Sequence, residues 1–189
     1  MSTHTIVALV QNRPGVLNRI ASKWRQRGFN IESLAVGHSE VLGLSRMTFT
    51  VDGMTTDVDQ VLKQMDKIIE VVKVSDLTEN DMVHRELALV KVGADTQQRS
   101  AIIDIVEVFR AKVVDVAPET LVVEATGTEE KVEAIIEMLR PYGIKELVRT
   151  GRIAMTRGSA TPMAVDATRF EQHRYRPAGE GKAKVGSLI

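Results

Sequence analysis

Four segments of this chain carry the same one-sided apolar pattern, with apolar residues recurring at positions i, i+3, i+4 and i+7. That spacing places them on one face of an α-helix and leaves the other faces polar, which is typical of helices that lie on a sheet. The four stripes are Leu17, Ile20, Ala21 and Trp24; Val58, Val61, Leu62 and Met65; Ile102, Ile105, Val106 and Phe109; and Val132, Ile135, Ile136 and Leu139. The chain is therefore predicted to form four amphipathic helices, each with one face to bury.

Strand-like runs separate these helices. In the run 44–51, Met47, Phe49 and Val51 alternate with Thr48 and Thr50, the two-residue period of a strand with one polar face. The predicted strands are 6–10, 31–36, 44–51, 71–77, 87–92, 112–116, 121–125 and 144–149. The order β-α-β-β-α-β then occurs twice and predicts an α+β fold of two ferredoxin-like units. Each unit is small enough to leave a sheet face or edge uncovered, so pairing with a second unit is expected.

A polar break at 78–83 divides the two repeats. We predict a first domain over 1–78, a second over 79–157 and a flexible, disordered tail over 158–189. The tail combines Gly, Ala, Ser, Pro and Arg without a sustained period, and only a short helix near 166–172 is expected there.

Composition argues against several classes of function. Lys plus Arg and Asp plus Glu both number 25, so a strongly charged partner such as nucleic acid or an acidic membrane is not expected. The chain has no cysteine, which removes disulfide and thiolate chemistry. No signal peptide or membrane-spanning run is recognised, so a cytoplasmic location is expected. The four histidines show no metal-ligand spacing and no phosphate-binding loop occurs, so neither catalysis nor metal binding is expected.

The segment 12–17 (Asn-Arg-Pro-Gly-Val-Leu) is the clearest candidate for binding. It joins the first strand to the first helix, and a turn there exposes the free N–H groups of the first helical turn. Together with the positive end of the helix dipole, these groups favour a carboxylate or phosphate. Asn12 adds an amide that both donates and accepts hydrogen bonds. The same residues are also typical of an ordinary turn, which is the alternative interpretation.

A second polar position, Asn30, stands at the start of the second strand, shortly after Gly28, which is predicted to end the first helix in a left-handed conformation. Asn is common at such turns because it tolerates unusual backbone angles. As a binding residue, it would contribute to a ligand pocket shared with a partner subunit.

Several segments together resemble the small regulatory subunits of acetohydroxyacid synthase (acetolactate synthase), over roughly residues 4–158. They are NRPGVL (12–17), RGFNIESL (27–34), LSRMT (44–48), RELALVKV (85–92) and GIKELVRTG (143–151). The resemblance implies an N-terminal ACT domain that forms a homodimer through a continuous sheet. It also implies a C-terminal ACT-like domain similar to the ligand-binding half of nickel-responsive regulators. Nickel binding is not carried over, because that site requires Cys.

The resemblance further implies an effector site at the ACT dimer interface, typically for valine. The expected site residues are Asn12, Pro14, Gly15, Val16, Leu17, Asn30 and Ile31. Of these, Asn12, Gly15 and Val16 are assigned to one protomer and Asn30 and Ile31 to the other. The regulator is expected to dock on a large catalytic subunit, to raise its activity and to mediate feedback inhibition. Thiamine diphosphate, magnesium and FAD are expected on that subunit, and no cofactor in this chain.

Two other functions remain as alternatives. ACT-type domains also occur in amino-acid-responsive transcription regulators, although no helix-turn-helix segment or basic domain is recognised here. An independent enzyme is the third reading, and it lacks a catalytic constellation of its own.

Overall fold

The computed structural model describes residues 3–159 and 163–165. The helix expected near 166–172 and most of the predicted tail lie outside the described residues. Within the described part of the chain, two units of helices and strands follow one another, each built on an antiparallel sheet.

The first unit has two helices and four strands. They are β1 (Thr3–Gln11), α1 (Val16–Gln26), β2 (Ser33–His38), β3 (Leu44–Asp52), α2 (Val58–Met65) and β4 (Val71–Asp76). The strand order is β2-β3-β1-β4, and each neighbouring pair is antiparallel. Strand β2 therefore forms one edge of this sheet, where its outer side meets no other strand among the described residues.

The second unit repeats that order and adds one strand. It contains β5 (Met82–Gly93), α3 (Arg99–Val108), β6 (Lys112–Val116), β7 (Thr120–Gly127), α4 (Glu129–Leu139), a short 3-10 turn (Arg140–Tyr142), β8 (Ile144–Arg149) and β9 (Ile153–Thr156). The order is β6-β7-β5-β8, while β9 pairs with residues 82–85 at the start of β5. The predicted α+β fold of two ferredoxin-like units is confirmed, whereas β9 was not predicted.

The helical stripes account for the two main cores, with one correction: at the start of α1 the buried residue is Val16, whereas Leu17 of the predicted stripe is exposed. In the first unit, Trp24 of α1 stacks on Phe49 of β3 with ring centroids 4.9 Å apart, among buried Ile6, Ala8 and Val10 of β1. In the second, the stripes of α3 and α4 pack on β5 and β7 in the same way. Amphipathic helices cover one face of each sheet because that is the only face their apolar stripes can reach.

A third, smaller core explains why every residue from Ile6 to Val10 is buried. Val7 and Leu9 point to the sheet face opposite the helices, where they contact Leu77, Ala154 of β9 and Met163. Lys73 Nζ also donates a hydrogen bond to Ala164 O at 3.0 Å. The second unit and residues 163–165 thus cover the second face of the first sheet, in line with the expected pairing of two units. The burial of Met163, which belongs to the predicted disordered tail, was not predicted.

The segment after β8 fixes this packing. The buried Arg152 donates from Nη1 to Thr5 Oγ1 at 3.0 Å and forms an ion pair with Glu129 of α4. Arg46 of β3 donates to Ala154 O at 2.8 Å. Small and hydroxyl side chains on this face of the sheet allow such close contact.

Candidate functional site

The connection between β1 and α1 has the geometry of an anion-binding helix start. Gly15 is the N-cap residue with φ +86°, a left-handed conformation that favours glycine, and no side chain among the described residues caps the helix. The first intrahelical bond runs from Arg19 N–H to Gly15 O at 3.0 Å. The N–H groups of residues 16–18, which precede this bond, are the ones that a helix leaves to other acceptors. A Cβ atom at Gly15 would have no atom within 4 Å, so the loop is open at this point.

The apolar neighbours of Gly15 divide between core and surface. The side chain of Val16 is buried in the first core, so its available contribution to a ligand is its backbone N–H. The side chains of Pro14, just before Gly15, and of Leu17, just after Val16, are both exposed. The structure therefore brings Asn12, Pro14 and the residues 15–17 together around one exposed loop.

A buried carboxylate anchors this loop. Glu70, at the turn before β4, accepts hydrogen bonds at one oxygen from Arg13 of the loop and from Arg19 of α1, the latter at 2.6 Å. The backbone of Glu70 also accepts a bond from Gln11 N–H at 2.9 Å. Burial alone would raise the pKa of Glu70, but the hydrogen bond from Arg13 and the two guanidinium charges lower it below its usual value. Glu70 thus remains ionised and ties the loop to the helix and to β4.

Asn12 is held at both its backbone and its side chain. Its N–H donates to Gly43 O at 2.9 Å, in the turn between β2 and β3. Its side-chain Nδ2 lies 3.3 Å from Nδ1 of His38, the last residue of β2. The Asn12 amide therefore stands at the end of the open edge strand.

The other predicted site residues lie elsewhere in the chain. Asn30 and Ile31 border an open depression of about 430 Å³ together with Trp24, Gly28 and Phe29. Asn30 Nδ2 donates to Glu32 Oε1 at 2.6 Å. Gly28 has φ +71°, which agrees with the predicted left-handed residue after α1.

Strand β2 separates the two halves of the predicted site. It begins at Ser33, just after Ile31, and ends at His38, next to Asn12. Six residues of extended strand span roughly 20 Å. Within one chain the structure therefore does not bring Asn30 and Ile31 to the loop that carries Asn12 and Gly15.

Sequence reasoning missed three residues of this region. Arg13 was quoted only as part of the turn, Glu70 was not singled out, and His38 was considered only as one of four histidines without metal-ligand spacing. Their partners are distant in sequence, since Arg13 and Glu70 are separated by 57 positions and Asn12 and His38 by 26. A Glu between apolar Ile69 and Val71 is the one local signal that could have suggested a buried carboxylate.

Within residues 3–159 and 163–165, no three His, Asp or Glu side chains converge as metal ligands. None of the helices in that part of the chain has the length and apolar character needed to cross a bilayer.

Family models match both units. A model described as the AHAS small subunit-like ACT domain matches residues 6–73. A second, described as the small subunit of acetolactate synthase, matches residues 85–158. Together the matches cover both sheets and the loop at Gly15.

Individual relatives agree over most of the chain. A probable acetolactate synthase small subunit of Archaeoglobus fulgidus is 52% identical over 156 residues, covering 82% of this chain and 98% of the relative. The acetolactate synthase small subunit of Bacillus subtilis is 51% identical over 156 residues, covering 82% of this chain and 90% of the relative. The crystal structure of the acetolactate synthase small subunit of Thermotoga maritima is similar with a TM-score of 0.77 and 42% identity, covering 85% of this chain and all of that one.

Proposed function

The chain belongs to the family of acetolactate synthase small subunits, regulatory rather than catalytic proteins, and from this premise we propose two actions for it. It raises the activity of a large catalytic subunit on which it docks. It also transmits feedback inhibition when a branched-chain amino acid, typically valine, binds at an interface between two ACT domains. The proposed complex acts in the cytoplasm, and thiamine diphosphate, magnesium and FAD belong to its catalytic subunit.

The observation that carries the effector site is the open edge of β2. Asn12 lies at one end of this strand and Asn30 just beyond the other. In a two-fold dimer, antiparallel pairing of two β2 strands joins the end of one to the beginning of the other. Such pairing would bring Asn30 and Ile31 of one protomer next to Asn12 and Gly15 of its partner. The arrangement supports a homodimer with two equivalent sites.

The chemistry of each half suits an amino acid. The N–H groups of the first turn of α1 and the helix dipole favour the carboxylate of the effector. The amides of Asn12 and Asn30 supply oxygen acceptors for its ammonium group. Exposed Leu17 and half-buried Ile31 offer apolar contact to an aliphatic side chain. The site therefore favours a zwitterion with an apolar side chain over a simple anion.

A site divided between protomers also explains regulation. An effector shifts a conformational equilibrium only when its affinity differs between the two states. If the carboxylate is bound by one protomer and the side chain by the other, a small change in their relative position changes that affinity. The Glu70 ion pairs keep the loop itself fixed, so that this change occurs between protomers.

The test has two parts. Calorimetric titration of the full chain with valine, leucine and isoleucine measures effector binding, with one site expected per protomer. Acetolactate formation by the large catalytic subunit is then measured alone, with this chain, and with this chain plus valine. We expect the chain to raise the rate and valine to lower it. No change of rate on adding the chain contradicts activation, and no binding of any of the three amino acids contradicts the effector site.

A further inference from the structure

We propose that His38 is a positioning residue of the effector site, because it orients the Asn12 amide so that Oδ1 faces the ammonium group of the ligand. The inference rests on the proposed function. It concerns a residue to which the sequence analysis gave no role in binding.

The orientation follows from which atoms meet. Nδ2 of Asn12 lies 3.3 Å from Nδ1 of His38, and an amide nitrogen can only donate. Nδ1 of the imidazole accepts this hydrogen bond in the tautomer that carries its ring proton on Nε2. Oδ1, on the opposite side of the same amide, is then presented away from the imidazole. This is the atom that a ligand ammonium requires.

The backbone of Asn12 is held in place. Its backbone N–H is bound to Gly43 O at 2.9 Å, so the side chain leaves the loop at a fixed point. The remaining choice is which end of the amide meets His38. An imidazole that accepts selects one end, and an imidazole that donates selects the other.

Charged side chains surround this contact. Arg46 on the neighbouring strand and Arg85 of β5 line the same groove beside β2, and Glu40 in the following turn interacts with Arg46. Arg13 of the loop pairs with Glu70. The structure gives His38 as the hydrogen-bond partner of the Asn12 amide.

A pair of variants separates the acceptor from the rest of the side chain. His38→Asn keeps an acceptor on Cγ at the position of Nδ1, whereas His38→Leu has similar bulk and no acceptor. With valine, we expect His38→Leu to bind about fivefold more weakly, the loss of one ordinary hydrogen bond. We expect His38→Asn to remain within about twofold of the wild type. Both variants are checked for dimer formation by sedimentation and for secondary structure by circular dichroism.

A second ligand distinguishes positioning from a structural role. 3-Methylbutanoate, which is valine without its ammonium group, is used in competition with valine, and its affinity should be unchanged in His38→Leu. An equal loss of affinity for both ligands overturns the role of His38.

Asn12→Ala and the wild type serve as references. If the wild type binds valine and Asn12→Ala weakens binding while His38→Leu does not, the inference about His38 is wrong and the proposed function stands. If the wild type binds no branched-chain amino acid, the proposed effector site is wrong, and the role of His38 is overturned with it.

Discussion

Gly151 lies directly against the backbone of Leu34: a Cβ atom at position 151 would stand 2.5 Å from both the carbonyl carbon and the oxygen of Leu34. This contact joins the end of the second unit to the edge strand β2. The neighbouring residue, Arg152, extends the contact through an N–H directed at Ser33 Oγ at 3.4 Å.

We expect Gly151→Ala to lower the free energy of unfolding by about 1–3 kcal/mol, the range for forcing an extra carbon into a packed contact. Because the obstructing atoms belong to the backbone, they cannot yield by a side-chain rotation. Gly37→Ala is the matched control. Gly37 lies on β2, the strand that Gly151 contacts, and a Cβ atom there would meet open space. Urea unfolding measures both variants, and equal stability of the two would show that the contact is not tight.

Gly15→Asp tests the position of the effector carboxylate. The new side chain has room, since no atom lies within 4 Å of its Cβ, but it carries a negative charge to the start of α1. We expect valine affinity to fall more than about 100-fold, because two carboxylates then compete for one site. Gly15→Asn is the control, as it shares the strain of a positive φ and tolerates it similarly. Equal loss in both variants would attribute the effect to the backbone and not to charge.

Val36→Glu tests dimerisation through β2. Val36 is 50% exposed on the edge strand, and two-fold pairing would bring the introduced charges close together. We expect sedimentation velocity to show a shift from dimer to monomer. Val114→Glu places the same change on the edge strand β6 at 51% exposure and should leave the dimer intact. A stable dimer of the Val36→Glu variant contradicts pairing through β2.

Glu70→Gln should lower the free energy of unfolding by about 1.5–3 kcal/mol at pH 7, the range for hydrogen bonds to a charged group, because the two arginines left behind are partly exposed to water. The pKa of Glu70 is lowered in the folded chain, so the unfolded chain takes up its proton first as the pH falls. The stability from this carboxylate is complete above the unfolded value of about 4.3 and is lost below it.

Urea unfolding at pH 7, 5 and 3.5 measures this effect. The loss of stability between pH 5 and 3.5 should be smaller in Glu70→Gln than in the wild type. Glu107→Gln, at an exposed position of α3, should keep the wild-type profile. Parallel profiles for the wild type and Glu70→Gln would mean that Glu70 is not held ionised by its arginines.

Met163→Ala tests the third core. Met163 is 6% exposed against Val7 and Leu9, and its truncation should cost about 2 kcal/mol of unfolding free energy. Met155→Ala, at 62% exposure on β9, is the matched change and should stay within about 0.5 kcal/mol. Thermal unfolding compares the two, and an equal effect would remove Met163 from the core.

The period of apolar residues predicted most of the fold. Four helices and eight strands follow from patterns that are local in sequence, and Gly28 follows from the end of such a pattern. Strand β9 was missed because Ile153–Thr156 is four residues long and alternates only once or twice. Its pairing partner, the start of β5, lies about 70 residues earlier, and no local pattern reports such a contact.

The site was only partly predictable for the same reason. The loop at Gly15 is indicated by turn residues between a predicted strand and a predicted helix. The ion pairs of Glu70 and the contact between Asn12 and His38 depend on the antiparallel sheet order β2-β3-β1-β4. This order places the end of β1 between the starts of β3 and β4, and the end of β2 beside the start of β3. The assignment of effector contacts to Asn12, Pro14, Gly15, Val16, Leu17, Asn30 and Ile31 stays a prediction, as does the division of the chain at residue 78.

The third core joins the two units through a small set of buried residues: Val7, Leu9, Leu77, Ala154 and Met163. This shared core has a consequence for any attempt to study one unit alone. A fragment that ended at residue 78 would expose the apolar second face of its sheet to solvent and would tend to aggregate. The first unit is thus not an independent module, because any movement of its sheet also acts on the second unit packed against it.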